Sequence, residues 1–184
     1  MSLENATANL KEFGKELNLE GLAFDENHTC ILGIDNVFSL HLTYEPNSQR
    51  LYLYAPIIDG LPKDKETLCR LYETLLEGSM LGGQMAGGGV GVAVKEELIL
   101  MHAVIEMVAA DTSSLRRFAP VFVEAVEKWR DIAKRICEGR YDEKERESLR
   151  PYHQGPGGSH PTPGQGHGHG QGNHGKPGDV FKRV

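Results

Sequence analysis

The stretch that decides the fold spans residues 29–55 and reads TCILGIDNVFSLHLTYEPNSQRLYLYA. Apolar residues alternate with polar or small residues through it, and this period of two is typical of β-strands with one buried face. Residues 35–36 (Asp-Asn) and 45–48 (Glu-Pro-Asn-Ser) have the composition of tight turns, so they divide the stretch into three parts. The sequence therefore predicts an antiparallel meander of three strands.

Helical periodicity lies on both sides of this meander. Residues 3–17 carry apolar side chains at spacings of three and four, which predicts an amphipathic helix. A second helix is predicted to begin at residues 61–64 and to end at Gly78 or at the glycine pair 82–83, and a third is predicted over residues 115–136. Each of these helices has one apolar face, which predicts packing against the sheet.

Two further strands are predicted between the second and third helices. Val90, Val92 and Val94 alternate with small or polar residues, and residues 98–110 are almost continuously apolar, which predicts that the second of these strands is buried. The predicted order is α-β-β-β-α-β-β-α. It indicates an α+β fold in which a twisted antiparallel sheet is flanked by three helices and keeps one face exposed.

The C-terminal part of the chain has a different composition. Residues 151–184 hold ten of the 22 glycines, five of the nine prolines and five of the eight histidines. Such a segment cannot bury enough apolar surface to offset the entropy lost on ordering. The sequence therefore predicts one folded domain over residues 1–138 and a disordered Gly/Pro/His-rich tail over residues 139–184.

Charge and hydropathy exclude several classes of protein. Residues 1–150 contain 17 basic and 25 acidic side chains, a net charge of −8, and lack the basic stripe that nucleic-acid binding requires. No stretch approaches the roughly 20 apolar residues of a membrane span, and the first residues lack a secretory signal, so a cytoplasmic location is expected. The widely spaced Cys30, Cys69 and Cys137 are predicted to be buried free thiols.

No pattern of residues points to catalysis. The glycine-rich residues 87–91 lead into a strand, whereas a phosphate-binding loop needs a helix after its glycines. His28, His41 and His102 are too scattered to combine with a cysteine in a zinc site or a catalytic pair. The sequence thus predicts no catalytic, cofactor-binding or metal-binding residues in the folded domain.

The histidines of the tail leave one alternative open. Imidazole rings bind Ni²⁺, Cu²⁺ and Zn²⁺, so the chain could instead be a metal-binding protein with a histidine-rich tail. The five residues concerned are His153, His160, His167, His169 and His174. Because flexible ligands lose chain entropy when they bind, a tail that merely contains histidine remains the simpler interpretation.

Two elements carry more apolar groups than a small monomer easily buries, which predicts a homodimer. The residues predicted at its interface lie on the second helix and on the fourth strand: Leu68, Leu71, Leu75, Val90, Val92 and Val94.

A resemblance to a known family rests on several segments. The most specific is residues 75–92, LLEGSMLGGQMAGGGVGV, which is followed by LILMH at residues 98–102. Residues 38–44, 51–56 and 128–130 fit as well. Over residues 1–138 the chain resembles the class I type III secretion chaperones, and more narrowly the chlamydial branch of the Tir chaperone family.

This resemblance implies a homodimeric, non-enzymatic chaperone without a nucleotide of its own. It would bind the N-terminal segment of secreted effector proteins, hold that segment extended, and present it to the secretion apparatus and its ATPase. An extended client can join a sheet edge while its side chains fill apolar pockets. We therefore expect a client groove on the first helix and the first hairpin, although the same residues could belong to the core. They are Leu3, Leu10, Phe13, Ile31, Leu32, Phe38 and Leu40.

Overall fold

The computed structural model describes residues 2–19, 21–142, 144 and 181–183. Its elements follow the predicted order and end with one additional strand, β6. They are α1 Ser2–Glu16, β1 Thr29–Ile34, β2 Phe38–Glu45, β3 Arg50–Asp59, α2 Lys65–Ser79, β4 Gly89–Ala93, β5 Leu98–Glu106, α3 Ser114–Cys137 and β6 Phe181–Arg183. The α+β fold with three helices and an antiparallel meander is therefore confirmed.

The sheet has the strand order β4-β5-β3-β2-β1-β6, and every neighbouring pair is antiparallel. The β1–β2 hairpin turns at Asp35 and Asn36, whose φ angles of 47° and 57° match the left-handed turn that suits the twist of a hairpin. The local sequence thus sets the register of β1 against β2, with Leu32 opposite Leu40. This register places the buried residues of both strands on one face.

The core lies between one face of the sheet and the helices. Alternate residues along β1, β2 and β3 are buried, and they form one cluster with apolar residues of α1, α2 and α3. The predicted burial of the fifth strand is wrong: Met101 and Ala103 are buried, whereas His102 and Val104 are exposed. The reason is that none of the helices in the described part of the chain covers the second face of the sheet.

Two glycines allow the elements around β4 to approach closely. A Cβ on Gly78 of α2 would lie 2.1 Å from the ring of Trp129 in α3, and a Cβ on Gly88 would lie 1.8 Å from the carbonyl oxygen of His102 in β5. The indole N–H of Trp129 donates to the carbonyl of Gln84 at 2.9 Å. The glycine-rich segment is therefore a packing feature of this fold.

Buried polar groups fix α1 against the start of α3. The amide group of Asn9 is fully buried and donates to the carbonyl of Asp111 at 2.9 Å, while its oxygen accepts from the N–H of Leu115 at 2.9 Å. Asn5 donates to the carbonyls of Met107 and Ala110, both at 2.7 Å. These two asparagines therefore tie α1 to backbone groups of the β5–α3 connection and of the first turn of α3.

The folded domain extends beyond its predicted boundary at residue 138. The side chain of Tyr141 is buried, its carbonyl accepts from Arg70 at 2.5 Å, and the guanidinium of Arg135 lies 5.5 Å from its ring. Residues 181–183, which lie in the predicted tail, form β6 and pair with β1. Within the predicted tail, residues 143, 145–180 and 184 lie outside the described residues.

The cysteine prediction holds for one residue of three. Cys30 is buried in β1, whereas Cys69 on α2 and Cys137 at the end of α3 are exposed. Both exposed cysteines lie on amphipathic helices, where a residue is buried only if it lies on the helix face that packs against the core.

Candidate functional site

The structure corrects most of the predicted client groove. Five of its seven residues lie in the core of the protomer, with exposed fractions of 9% or less: Leu10, Phe13, Leu32, Phe38 and Leu40. The cause is that α1 turns its apolar face toward the sheet, and β1 and β2 turn theirs toward the helices. A client cannot contact these five side chains in the folded protomer.

Leu3 and Ile31 remain accessible, with exposed fractions of 38% and 37%. Leu3 lies in the first turn of α1, on the helical side of the sheet. Ile31 lies between buried Cys30 and Leu32 in β1 and therefore belongs to the opposite, uncovered face. The structure thus does not bring these two residues together in one groove.

A row of side chains crosses the uncovered sheet face from Ile31. In the strand register Ile31 is opposite His41, His41 is opposite Tyr54, and Tyr54 is opposite His102. The His41 and Tyr54 rings stack at 4.9 Å between centroids. Burial lowers the pKa of His41, which favours the neutral ring at pH 7. We call Ile31, His41, Tyr54 and His102 the open-face row.

Hydroxyl groups complete this face beside the open-face row. The hydroxyls of Thr29 and Thr43 are 2.9 Å apart, and that of Thr43 is 3.3 Å from the Tyr54 hydroxyl. The Ser39 hydroxyl is 2.9 Å from Nε2 of His41. Rings with a polar tip beside one aliphatic residue make an amphipathic surface that can contact both the backbone and the apolar side chains of a peptide.

The outer edge of β1 is paired with the C-terminal strand β6. Leu32 is opposite Arg183, Gly33 is opposite Lys182, and Ile34 is opposite Phe181. We call the outer backbone edge of Thr29–Ile34 the β1 edge. The sequence analysis missed this pairing because a strand of three residues at the end of a Gly/Pro-rich tail gives almost no periodic signal. The only available clue was the run Val-Phe-Lys-Arg-Val at residues 180–184.

The predicted dimer residues are also divided by the structure. Leu71 and Leu75 are buried in the protomer core, with exposed fractions of 0% and 1%, so their assignment to an interface is corrected. Leu68 and Val90 are partly buried, and Val92 and Val94 are exposed. A Leu71→Asp change would thus unfold the protomer and would not report on dimer formation.

Other apolar residues near α2 and β4 are exposed and were not predicted. Leu76, Met80 and Leu81 have exposed fractions of 63%, 51% and 80%, and Leu76 and Met80 line one shallow hollow. Because α2 packs against β4, these residues lie on elements next to exposed Val92 in β4 and exposed Val94 directly after it. We call the whole set the α2–β4 surface. It consists of Leu76, Met80, Leu81, Val92 and Val94.

The described part of the chain offers no metal centre and no membrane helix. Within residues 2–19, 21–142, 144 and 181–183, no three His, Cys, Asp or Glu side chains come together as potential metal ligands. No helix in these same ranges is long and apolar enough to span a bilayer. The five tail histidines of the metal-binding alternative lie outside the described residues.

Comparisons with known proteins agree with this architecture. The model of the Tir chaperone protein (CesT) family matches residues 8–130. The chain belongs to this family. It is therefore a member of the class I type III secretion chaperones, as the sequence resemblance had indicated. No curated protein matches the sequence, and none of the other comparisons supports the metal-binding alternative.

Solved structures of chaperone complexes share the fold. A chain of the HopA1–SchA chaperone–effector complex is 25% identical with a TM-score of 0.56, and the match covers 71% of this chain and 97% of that one. A chain of the ExsC–ExsE complex is 16% identical with a TM-score of 0.59, covering 71% and 94%. A chain of the Yersinia pestis type III secretion chaperone SycH in complex with a YscM2 fragment is 17% identical with a TM-score of 0.51, covering 67% and 98%.

Proposed function

We propose that this protein binds the N-terminal segment of secreted effector proteins in the bacterial cytoplasm. It holds that segment extended and delivers it to the type III secretion apparatus and its ATPase, without enzymatic activity of its own. The observation that carries the proposal, beside the family membership, is the β1 edge, which pairs with a short extended strand through its backbone. An edge of this kind accepts a strand by main-chain hydrogen bonds, which do not depend on the sequence of the client.

The uncovered sheet face supplies side-chain contacts next to this edge. Ile31 is the member of the open-face row that lies on β1 itself, so a strand added to β1 would run directly beside it. Burial of apolar surface contributes only about 25 cal/mol per Å², and ordering the client costs conformational entropy. A client must therefore cover a long surface, and the β1 edge is one part of it.

The narrower resemblance suggests a first candidate client. Because the sequence resembles the chlamydial branch of the family, we propose that the translocated actin-recruiting effector of that group belongs to the clients. Co-expression of the full chain with the N-terminal segments of several candidate effectors, followed by copurification, tests both this assignment and the general function. A chain that retains no effector segment would contradict the general function.

Replacing Ile31 by aspartate is expected to weaken client copurification by about tenfold, which corresponds to about 1.4 kcal/mol of binding free energy. The reason is that a charge would stand where the client strand passes, while the partly exposed position leaves the fold intact. Copurification and the thermal transition are measured on the same preparation.

The matched control for this change is Val108→Asp, since Val108 is 72% exposed and lies beyond the end of β5, away from β1. Equal loss of client in both variants, or full retention by Ile31→Asp, would remove the β1 edge from the client site.

We propose further that the protein is a homodimer joined through the α2–β4 surface. The exposed apolar residues of this surface lie at the opposite end of the sheet from β1, so a dimer formed there leaves both β1 edges accessible. This arrangement lets each protomer contribute one edge to a long client.

Replacing Leu76 by aspartate is expected to raise the dimer dissociation constant by about 100-fold, because an unpaired charge would be buried at the interface. Light scattering over a range of protein concentrations measures the change in mass. Val121→Asp is the control, because Val121 is 53% exposed on α3 outside the α2–β4 surface. Wild-type protein that is monomeric at tens of micromolar would refute the assignment.

A further inference from the structure

The C-terminal strand β6 occupies the edge that a client strand would use. It pairs with Leu32, Gly33 and Ile34, the last three residues of β1, in an antiparallel register. Without β6, β1 would end the sheet, and the outer backbone groups of residues 32–34 would lose their strand partner. Such an edge is a template for pairing with any extended chain, and proteins commonly cover it. Here the covering element is part of the same chain.

The end of the chain is suited to this position by composition. Residues 180–184 read Val-Phe-Lys-Arg-Val and include three residues of high β-propensity, whereas residues 151–178 include no valine, isoleucine, leucine or phenylalanine. Lys182 and Arg183 bring two positive charges to a body that carries a net charge of −8 over residues 1–150. The strand-forming residues of this part of the chain are therefore concentrated in the segment that pairs with β1.

The length of β6 makes its attachment weak enough to be reversed. A pair of three-residue strands is marginal by itself in water. Because β6 and β1 belong to the same chain, the effective concentration of β6 at the edge is on the order of 1 mM, so even millimolar intrinsic affinity keeps the edge occupied about half of the time. A client segment that covers more of β1 and the open-face row can then displace β6.

We propose that β6 is an internal competitor of the client: the chain's own residues 181–183 hold the β1 edge until an effector segment replaces them. This inference rests on the proposed function, because it assigns the β1 edge to clients. It assigns a role to the end of the tail that the family's common core does not contain. The occupied edge would also be protected from pairing with other unfolded chains.

The test uses the full chain with the double change Phe181→Pro/Lys182→Pro. Proline has no N–H and restricts the backbone conformation of the residue before it. In a strand, only every second residue points its N–H at a given neighbour. Replacing two adjacent residues therefore removes one backbone hydrogen bond to β1 in either case. The matched control is Gly175→Pro/Lys176→Pro, which adds two prolines and removes one lysine from the same tail while leaving residues 181–183 unchanged.

Hydrogen exchange measures the occupation of the edge without any client. Amides of residues 32–34 are expected to exchange about twice as fast or faster in the double variant than in the control, because this part of the edge loses its partner. A labelled peptide with the sequence of residues 178–184 should bind the double variant about twofold more tightly than the control, because β6 holds the edge of the control about half of the time. Unchanged exchange in β1 overturns the inference, as does exchange in the wild type that slows with protein concentration, since the strand would then come from a second copy.

Client affinity measures the competition itself. An effector segment that copurifies with the wild type is expected to bind the double variant at least about twofold more tightly. The reason is that β6 no longer occupies the edge for part of the time. Faster exchange with unchanged affinity overturns the competition and places the client elsewhere. Copurification of effector segments with the wild-type chain decides the proposed function separately, so failure of the two can be distinguished.

Discussion

Gly78→Ala is expected to lower the free energy of unfolding by about 3 kcal/mol, although alanine is the better helix former. The added Cβ would lie 2.1 Å and 2.2 Å from two ring carbons of Trp129. That ring cannot move away easily, because it is fully buried and its N–H is held by the carbonyl of Gln84. The helix-propensity gain of about 1 kcal/mol is too small to offset a clash of this size.

Urea unfolding of Gly78→Ala and of the control Gly83→Ala measures this effect. Gly83 has a φ of −60°, and a Cβ there would meet nothing within 4 Å, so its substitution should leave stability unchanged or raise it by about 0.5 kcal/mol. If both variants unfold at the wild-type urea concentration, α2 and α3 do not pack through Gly78 as described.

Asn9→Ala is the second change with a large expected effect, a loss of about 2–3 kcal/mol of unfolding free energy. Removing the amide leaves the buried N–H of Leu115 without the oxygen that now accepts from it, while the carbonyl of Asp111 keeps only the N–H of Ser114 at 3.2 Å. Desolvated groups without partners cost more than the net value of the hydrogen bonds themselves. The free energy of unfolding from urea titration is again the measurement.

Thr7→Ala serves as the control for Asn9→Ala. Thr7 lies two residues earlier on the same helix, and its hydroxyl only bonds the carbonyl of Leu3 at an exposed position. We expect a change within about 0.5 kcal/mol for this surface substitution. Equal destabilisation by the two variants would mean that helix propensity, and not the link between α1 and α3, determines the loss at Asn9.

The local patterns in the sequence were sufficient for the fold. Alternation along residues 29–55 and the turn at Asp35 and Asn36 depend on neighbouring residues alone, and both are present in the structure. The sequence also predicts the start of α2 at residues 61–64. In the structure Asp64 caps this helix, and its carboxylate accepts from the N–H of Thr67 at 2.8 Å. Patterns of this kind depend on interactions between residues that are close in the sequence, so a single sequence is enough to recognise them.

The surfaces could not be derived in the same way. Leu75 and Leu76 are adjacent members of one apolar stripe, yet their exposed fractions are 1% and 63%, because only tertiary packing decides where the buried sector of the helix ends. The same ambiguity placed Leu10 and Phe13 in a client groove. The hydrogen bonds of Asn5 and Asn9 to the β5–α3 connection join residues about 100 positions apart, and no local sequence pattern predicts such a contact.

The packing of Trp129 against Gly78 also provides an optical signal. Trp129 is the only tryptophan of the chain and is fully buried. Its fluorescence therefore reports on one place, the junction of α2 and α3 beside β4, which lies across the sheet from the β1 edge. Emission that stays constant while an effector segment binds would describe a rigid scaffold with a local docking edge. Emission that changes would show that binding at the β1 end of the sheet alters the packing around Trp129 at the β4 end.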